Sequence, residues 1–240
     1  MRKVALIAGA ALVAACSILF ATARGDAAPK PGIRLAVVRT AHVRSLRYAF
    51  RVGIHEYGVP LALQVRGQSD AHTISVHLAT AGLSAAELLD GPFLYEQAPQ
   101  GMAVYGKWRW LRVNVTHLSA SSEAIAVVHA LTPEPLLRVI AKARLRADRS
   151  VYRGTVPYFD PVVRDSLVKL TGGIEFRGLR IRVDVGRDGL IHRVRLTGKT
   201  ADRSSSFVLD ARLYAFGRPV HVSPPKPGTF IDRQLVQLSA

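Results

Sequence analysis

Alternation of apolar and polar residues with a period of two runs through most of this chain, and it constrains the fold more than any other feature. Tyr48, Phe50, Val52 and Ile54 alternate with Arg47, Ala49, Arg51 and Gly53, as in a strand with one dry face and one wet face. A turn at Gly58 leads to Leu61, Leu63 and Val65, set against Ala62, Gln64 and Arg66. After residues 67–70 a third run places Ile74, Val76 and Leu78 against Thr73, Ser75 and His77. Three strands joined by short turns predict an antiparallel meander.

The pattern then breaks and resumes. Residues 84–90 read as a short helix, 92–97 as a strand, Pro99-Gln100-Gly101 as a turn, and 103–110 as a returning strand. On that strand Trp108 and Trp110 share one parity, which predicts that both rings point inward. Residues 119–131 fit strand and helix equally. Thr132 as N-cap, with Pro133 at the first helical position, predicts a helix with Leu136, Leu137, Ile140, Ala141 and Leu145 on one face. Asp160-Pro161 opens another, with Val163, Leu167 and Leu170 inward and Gly172-Gly173 closing it.

Strands return after that. Ile181, Val183 and Val185 lead through a tight turn at Arg187-Asp188-Gly189 to His192, Val194 and Leu196, and the last long strand carries Phe207, Leu209, Ala211 and Leu213. Strands, then helices, then strands predict an α+β fold, with helices laid on one face of an antiparallel sheet.

The beginning of the chain speaks of location. Met1-Arg2-Lys3, an apolar run from Val4 and small residues before Arg24 match an export signal. Three fates are open to it. Val13-Ala14-Ala15-Cys16 resembles a bacterial lipobox, in which Cys16 carries diacylglycerol. Ala21-Thr22-Ala23 offers ordinary cleavage, and a retained stretch of about 20 apolar residues is long enough to anchor in a bilayer. Each places the remainder outside the cytoplasm. Residues 24–32, with Gly25, Pro29, Pro31 and Gly32, read as a tether, 33–232 as a single domain, and 233–240 as a tail.

Cys16 is the chain's one cysteine, so the domain has no disulfide, thiolate nucleophile or cysteine-held metal to draw on. Stability must come from burial, for which a hydrophobic content of 49% is ample. The net charge of +16 comes from basic residues spread over alternate strand positions, not gathered in a run. Two readings of such a face are open: a basic surface that is simply solvated, and one drawn to an anionic membrane surface. No recognition module or interleaved basic and aromatic motif points to nucleic acid.

Signatures of catalysis are sparse. Ser166-Leu167-Val168-Lys169 has the S-x-x-K spacing of serine acyl-enzymes without their partner motifs, and Gly198-Lys199-Thr200 lacks the glycine of a phosphate loop, since Arg193 stands there. The eight histidines have neither H-x-H nor H-E-x-x-H spacing; a cross-strand pair of His55 and His77 is the best metal candidate among them. We expect no enzyme, no catalytic residues, no metal and no cofactor.

The order of elements, the stretch Tyr105-Gly106-Lys107-Trp108 and the ending Arg212-Leu213-Tyr214-Ala215-Phe216-Gly217-Arg218-Pro219-Val220-His221-Val222-Ser223-Pro224-Pro225 resemble the envelope lipid and lipoprotein carriers of the LolA and LppX/LprG type, over residues 33–232. The resemblance implies a curved antiparallel half-barrel with helices packed in its concave side and acyl chains held between them. It implies as partners a lipid or acylated ligand, a membrane surface and a membrane protein, in the periplasm or on the outer face of the cell membrane. On that expectation the cavity is lined by Tyr48, Phe50, Val52, Ile54, Leu61, Leu63, Val65, Ile74, Val76, Leu78, Trp108, Trp110, Phe207, Leu209 and Leu213, with Cys16 as the lipidation site. A second role implied by the same superfamily is that of the RseB/MucB-like sensors, which regulate a membrane-bound anti-sigma factor.

Overall fold

The computed structural model describes residues 31–56, 59–81, 83–98, 109–117, 131–171, 176–200 and 204–232. Cys16, Trp108, the turn at 99–101, residues 119–130, Gly172-Gly173 and the tail lie outside the described residues. The strands in chain order are β1 (Leu46–Glu56), β2 (Val59–Ser69), β3 (Thr73–Thr80), β4 (Leu83–Asp90), β5 (Phe93–Gln97), β6 (Trp110–Asn114), β7 (Arg144–Asp148), β8 (Val151–Thr155), β9 (Arg177–Val185), β10 (Ile191–Lys199), β11 (Ser205–Tyr214) and β12 (Phe230–Asp232). They form one curved, unclosed sheet in the order β12-β6-β5-β4-β3-β2-β1-β11-β10-β9-β8-β7. Every pairing is antiparallel except that of β12 with β6.

The first and last long strands meet at the middle of this sheet. Tyr48, Phe50, Val52 and Ile54 of β1 stand opposite Leu213, Ala211, Leu209 and Phe207 of β11 and opposite Gly67, Val65, Leu63 and Leu61 of β2. Side chains of one parity therefore share one face across β2, β1 and β11, while the register between β10 and β9 shifts at Ile191/Arg193 and again at Thr197/Lys199. Each large apolar side chain fully buried on that face contributes roughly 1.5–3 kcal/mol.

Three helices cover part of this inner face: α1 (Pro31–Ala41), α2 (Glu134–Lys142) and α3 (Pro161–Thr171). Ile33 and Ala36 of α1, Leu136, Val139 and Ile140 of α2, and Val163 and Leu167 of α3 join one core with the inner residues of β1–β3 and β9–β11. Thr40 ties α1 to the sheet. Its hydroxyl donates to the carbonyl of Ala36 at 2.7 Å and accepts the backbone N–H of Ile191 at 3.0 Å. Asp160 caps α3, its Oδ1 accepting the backbone N–H groups of Val162 (3.0 Å) and Val163 (3.4 Å).

Some expectations are corrected. Residues 84–90 form β4 instead of a helix: Ala85, Ala86, Glu87 and Leu88 have helical propensity, but backbone pairing with β3 on one side and β5 on the other outweighs it. The helix after Thr132 starts one residue later than expected, with Pro133 itself as N-cap, and ends when Ala143 turns extended (ψ 144°). Leu145 therefore belongs to β7, not to the helical face. Helix α1 begins at Pro31, inside the expected tether, and β7 and β8 add an antiparallel hairpin to the expected elements.

After β11 the chain runs on as a strap held to Ser45 and Gln68. Gly217 donates its N–H to Ser45 (2.8 Å), the Ser45 hydroxyl donates to the Arg218 carbonyl (2.7 Å), and Gln68 Nε2 reaches the carbonyl of His221 (3.4 Å). The strap ends as β12 beside β6, where Asp232 pairs with Arg112 and the Arg112 guanidinium lies 4.4 Å from the Phe230 ring centre.

Candidate functional site

The inner face changes character along its strands. At one end it is dry, with Tyr48, Phe50, Val65, Val76, Leu209 and Leu213 all buried. Towards the other end Ile54, Leu63 and Leu78 are half-buried, and beyond them Leu61 is 51% exposed, Val59 58% and Leu83 44%. Val59 and Leu83 have the inward parity of their strands, so the apolar wall runs out into solvent at this end. Phe159, in the loop after β8, is 83% exposed.

The expected lining residues are brought together with two exceptions. Tyr48, Phe50, Val52, Ile54, Leu61, Leu63, Val65, Ile74, Val76, Leu78, Phe207, Leu209 and Leu213 share the inner face through one continuous register. Trp110 has the opposite parity: it stands across from Gln97 and Phe230, while Leu111 and Val113 take the inward positions of β6. The expectation of an inward Trp110 fails because β6 starts its pairing one residue out of phase with that reading. Trp108 lies outside the described residues.

A second apolar cluster continues the wall past β3. Leu94, Leu111 and Val113 are buried there, with Ile74, Leu89 and Ile231 packed against them, and no described helix joins this cluster. Between the two clusters the sequence places a pair that parity within single strands does not reveal. Glu87 on β4 stands opposite Glu96 on β5, and Val76 stands opposite Glu87 on the other side. Burial, and then the charge of Glu96, push the Glu87 carboxyl up to about 7. Its Oε2 has no hydrogen-bond partner among the described residues.

Tyr48 occupies the same cross-strand row. Its ring lies over Gly67, and its buried hydroxyl is likewise without a partner among the described residues. Burial raises its pKa above the ordinary phenol value, so the phenol stays neutral. The wall is thus apolar, with two buried polar groups, the Tyr48 hydroxyl and Glu87 Oε2, that have no hydrogen-bond partner among the described residues.

The other candidates are dispersed. His55 stands opposite Pro60 and His77 opposite Arg66, about 20 Å apart along β2, so they do not form a site. Among the described residues no three metal-ligating side chains cluster. Ser166 is buried in α3, and Gly198 sits under Leu179 and Phe176. Among the described residues no helix is long and apolar enough to cross a membrane.

No family model matches this sequence, and no curated protein matches it. Among solved structures the chain is similar to LprF from Mycobacterium bovis, with 13% identity and a TM-score of 0.45, covering 83% of this chain and 99% of that one. It is also similar to a LolA superfamily protein from Nitrosomonas europaea, with 9% identity and a TM-score of 0.32, covering 82% and 96%. A third similar structure is MucB in complex with MucA(peri), with 13% identity and a TM-score of 0.30, covering 78% of this chain and 55% of that one.

Proposed function

We propose that this protein is an exported, non-enzymatic lipid-binding or lipoprotein-carrier protein of the cell envelope that holds acyl chains against the inner face of its sheet. One observation carries the reading: the apolar wall that is dry at Tyr48 and Val76 continues to exposed Val59, Leu61 and Leu83 at its open end. Exposed apolar surface on the inner side of a sheet is costly unless something covers it. An acyl chain laid along the wall contributes about 0.8 kcal/mol per buried methylene. Export rests on residues 1–23, whose basic start and apolar run match a signal.

Titration with a fluorescent fatty acid tests the reading at residue level. Leu61→Glu at the open end weakens binding at least tenfold, while Gln64→Glu on the opposite face of the same strand changes it less than twofold. Equal affinity in wild type and Leu61→Glu would count against binding along this wall.

A further inference from the structure

The outer face of the sheet carries an arrangement that the fold does not need. In one cross-strand row Arg51 of β1 stands opposite Asp210 of β11, which stands opposite Arg195 of β10, then Arg182 of β9, Arg153 of β8 and Arg146 of β7. All five arginines are exposed. Four of them follow one another on four adjacent strands with no acid between. Like charges directly opposite one another destabilise a sheet. Arg182 finds relief at Asp184 (2.9 Å) and Arg153 at Asp148 (2.9 Å), but Arg51 and Arg146 make no ion pair among the described residues. The one carboxylate in the row, Asp210, is engaged by Arg193 of the next row.

We propose that this arginine row is a docking surface for an anionic lipid bilayer. The row crosses six strands and so spans about 24 Å, a two-dimensional field suited to a surface of phosphates. Protein partners are held mainly by apolar and aromatic anchors in the middle of an interface, and the row contains none. Single-stranded nucleic acid is held by aromatic rings between the cations, and the row contains none of those either. Bilayer attraction needs no such anchors, because each cation near the surface acts almost independently. The row lies on the face opposite the apolar wall, so docking leaves the wall and its open end uncovered. The proposal does not depend on the lipid-carrier reading.

The test uses the full chain and vesicles of phosphatidylcholine with and without 30% phosphatidylglycerol, the readout being the ratio of the two partition constants. This ratio removes any contribution of the apolar residues 4–23. Wild type shows at least a tenfold preference for the anionic vesicles, lost on raising the salt to about 1 M, where the Debye length falls to about 3 Å. Arg146→Glu/Arg195→Glu reduces the preference to less than threefold, and Arg164→Glu/Arg187→Glu, of equal charge change but off the row, keeps most of it. Arg146→Gln/Arg195→Gln also loses preference yet unfolds at the same temperature as wild type or higher. Equal loss in both charge-reversed proteins reduces the effect to net charge and overturns the proposal. So does indifference to the anionic lipid, or tighter binding of single-stranded DNA with the same arginine dependence.

Discussion

The ring of Tyr48 lies across Gly67 of the neighbouring strand, so close that a β-carbon on Gly67 would stand 2.1 Å from Tyr48 Cζ and 2.3 Å from its hydroxyl oxygen. The contact requires glycine for space, not for backbone conformation. Gly67→Ala must displace a fully buried ring that stacks on Phe50 at 5.1 Å between centroids. Overpacking of this kind costs about 1–3 kcal/mol. Denaturant unfolding will show that loss, and Tyr48→Phe alone will not, because the hydroxyl has no partner to lose among the described residues.

Glu87 makes stability depend on pH in a defined direction. Its folded-state carboxyl is raised to about 7, whereas in the unfolded chain it titrates near the ordinary value of about 4.3. Below the unfolded value both states are protonated and the residue carries no penalty. As pH rises towards 7 the unfolded state gives up its proton first, and stability falls. Part of the side chain remains solvated, which limits the loss to roughly 1 kcal/mol between pH 5 and 8. Glu87→Gln removes this slope, so thermal melts of the variant and wild type converge at about pH 4 and below and separate at pH 8 with the variant more stable.

Asp232 fastens the strap. The Arg112 guanidinium holds its carboxyl below the usual carboxylate range by hydrogen bonding, so this contribution is present at neutral pH and lost on acidification through the folded-state value. Both side chains are partly exposed, which keeps Asp232→Ala to about 1 kcal/mol or less in global stability. The local effect is larger: hydrogen exchange at β6, whose pairing with β12 depends on the strap, becomes faster in the variant while β10 and β11 are unchanged.

Strand parity was legible wherever a strand has one dry and one wet side. The inward sets of β1, β2, β3, β9 and β11 follow directly from alternation, and the Asp160 cap from its residue type. Composition misled at β4, because Leu83–Asp90 is made of good helix formers held in a sheet by its neighbours. The β7–β8 hairpin lacks a glycine turn signal, since Arg149 takes the left-handed conformation (φ 52°) there. Helix α1 did carry a signal in Ile33, Ala36, Val37 and Thr40, spaced for one helical face, but the prolines and glycines before it read as tether. The Glu87–Glu96 pair and the arginine row are properties of register between strands, which no single strand contains.

Whether acyl chains occupy the inner face is decided by native mass spectrometry of the protein purified from a membrane-containing host. The expected spectrum shows a bound species of lipid mass that leaves on activation and that Leu61→Glu loses. A spectrum containing only the mass of the bare chain, from protein that also fails to bind a fluorescent fatty acid, would contradict that occupancy.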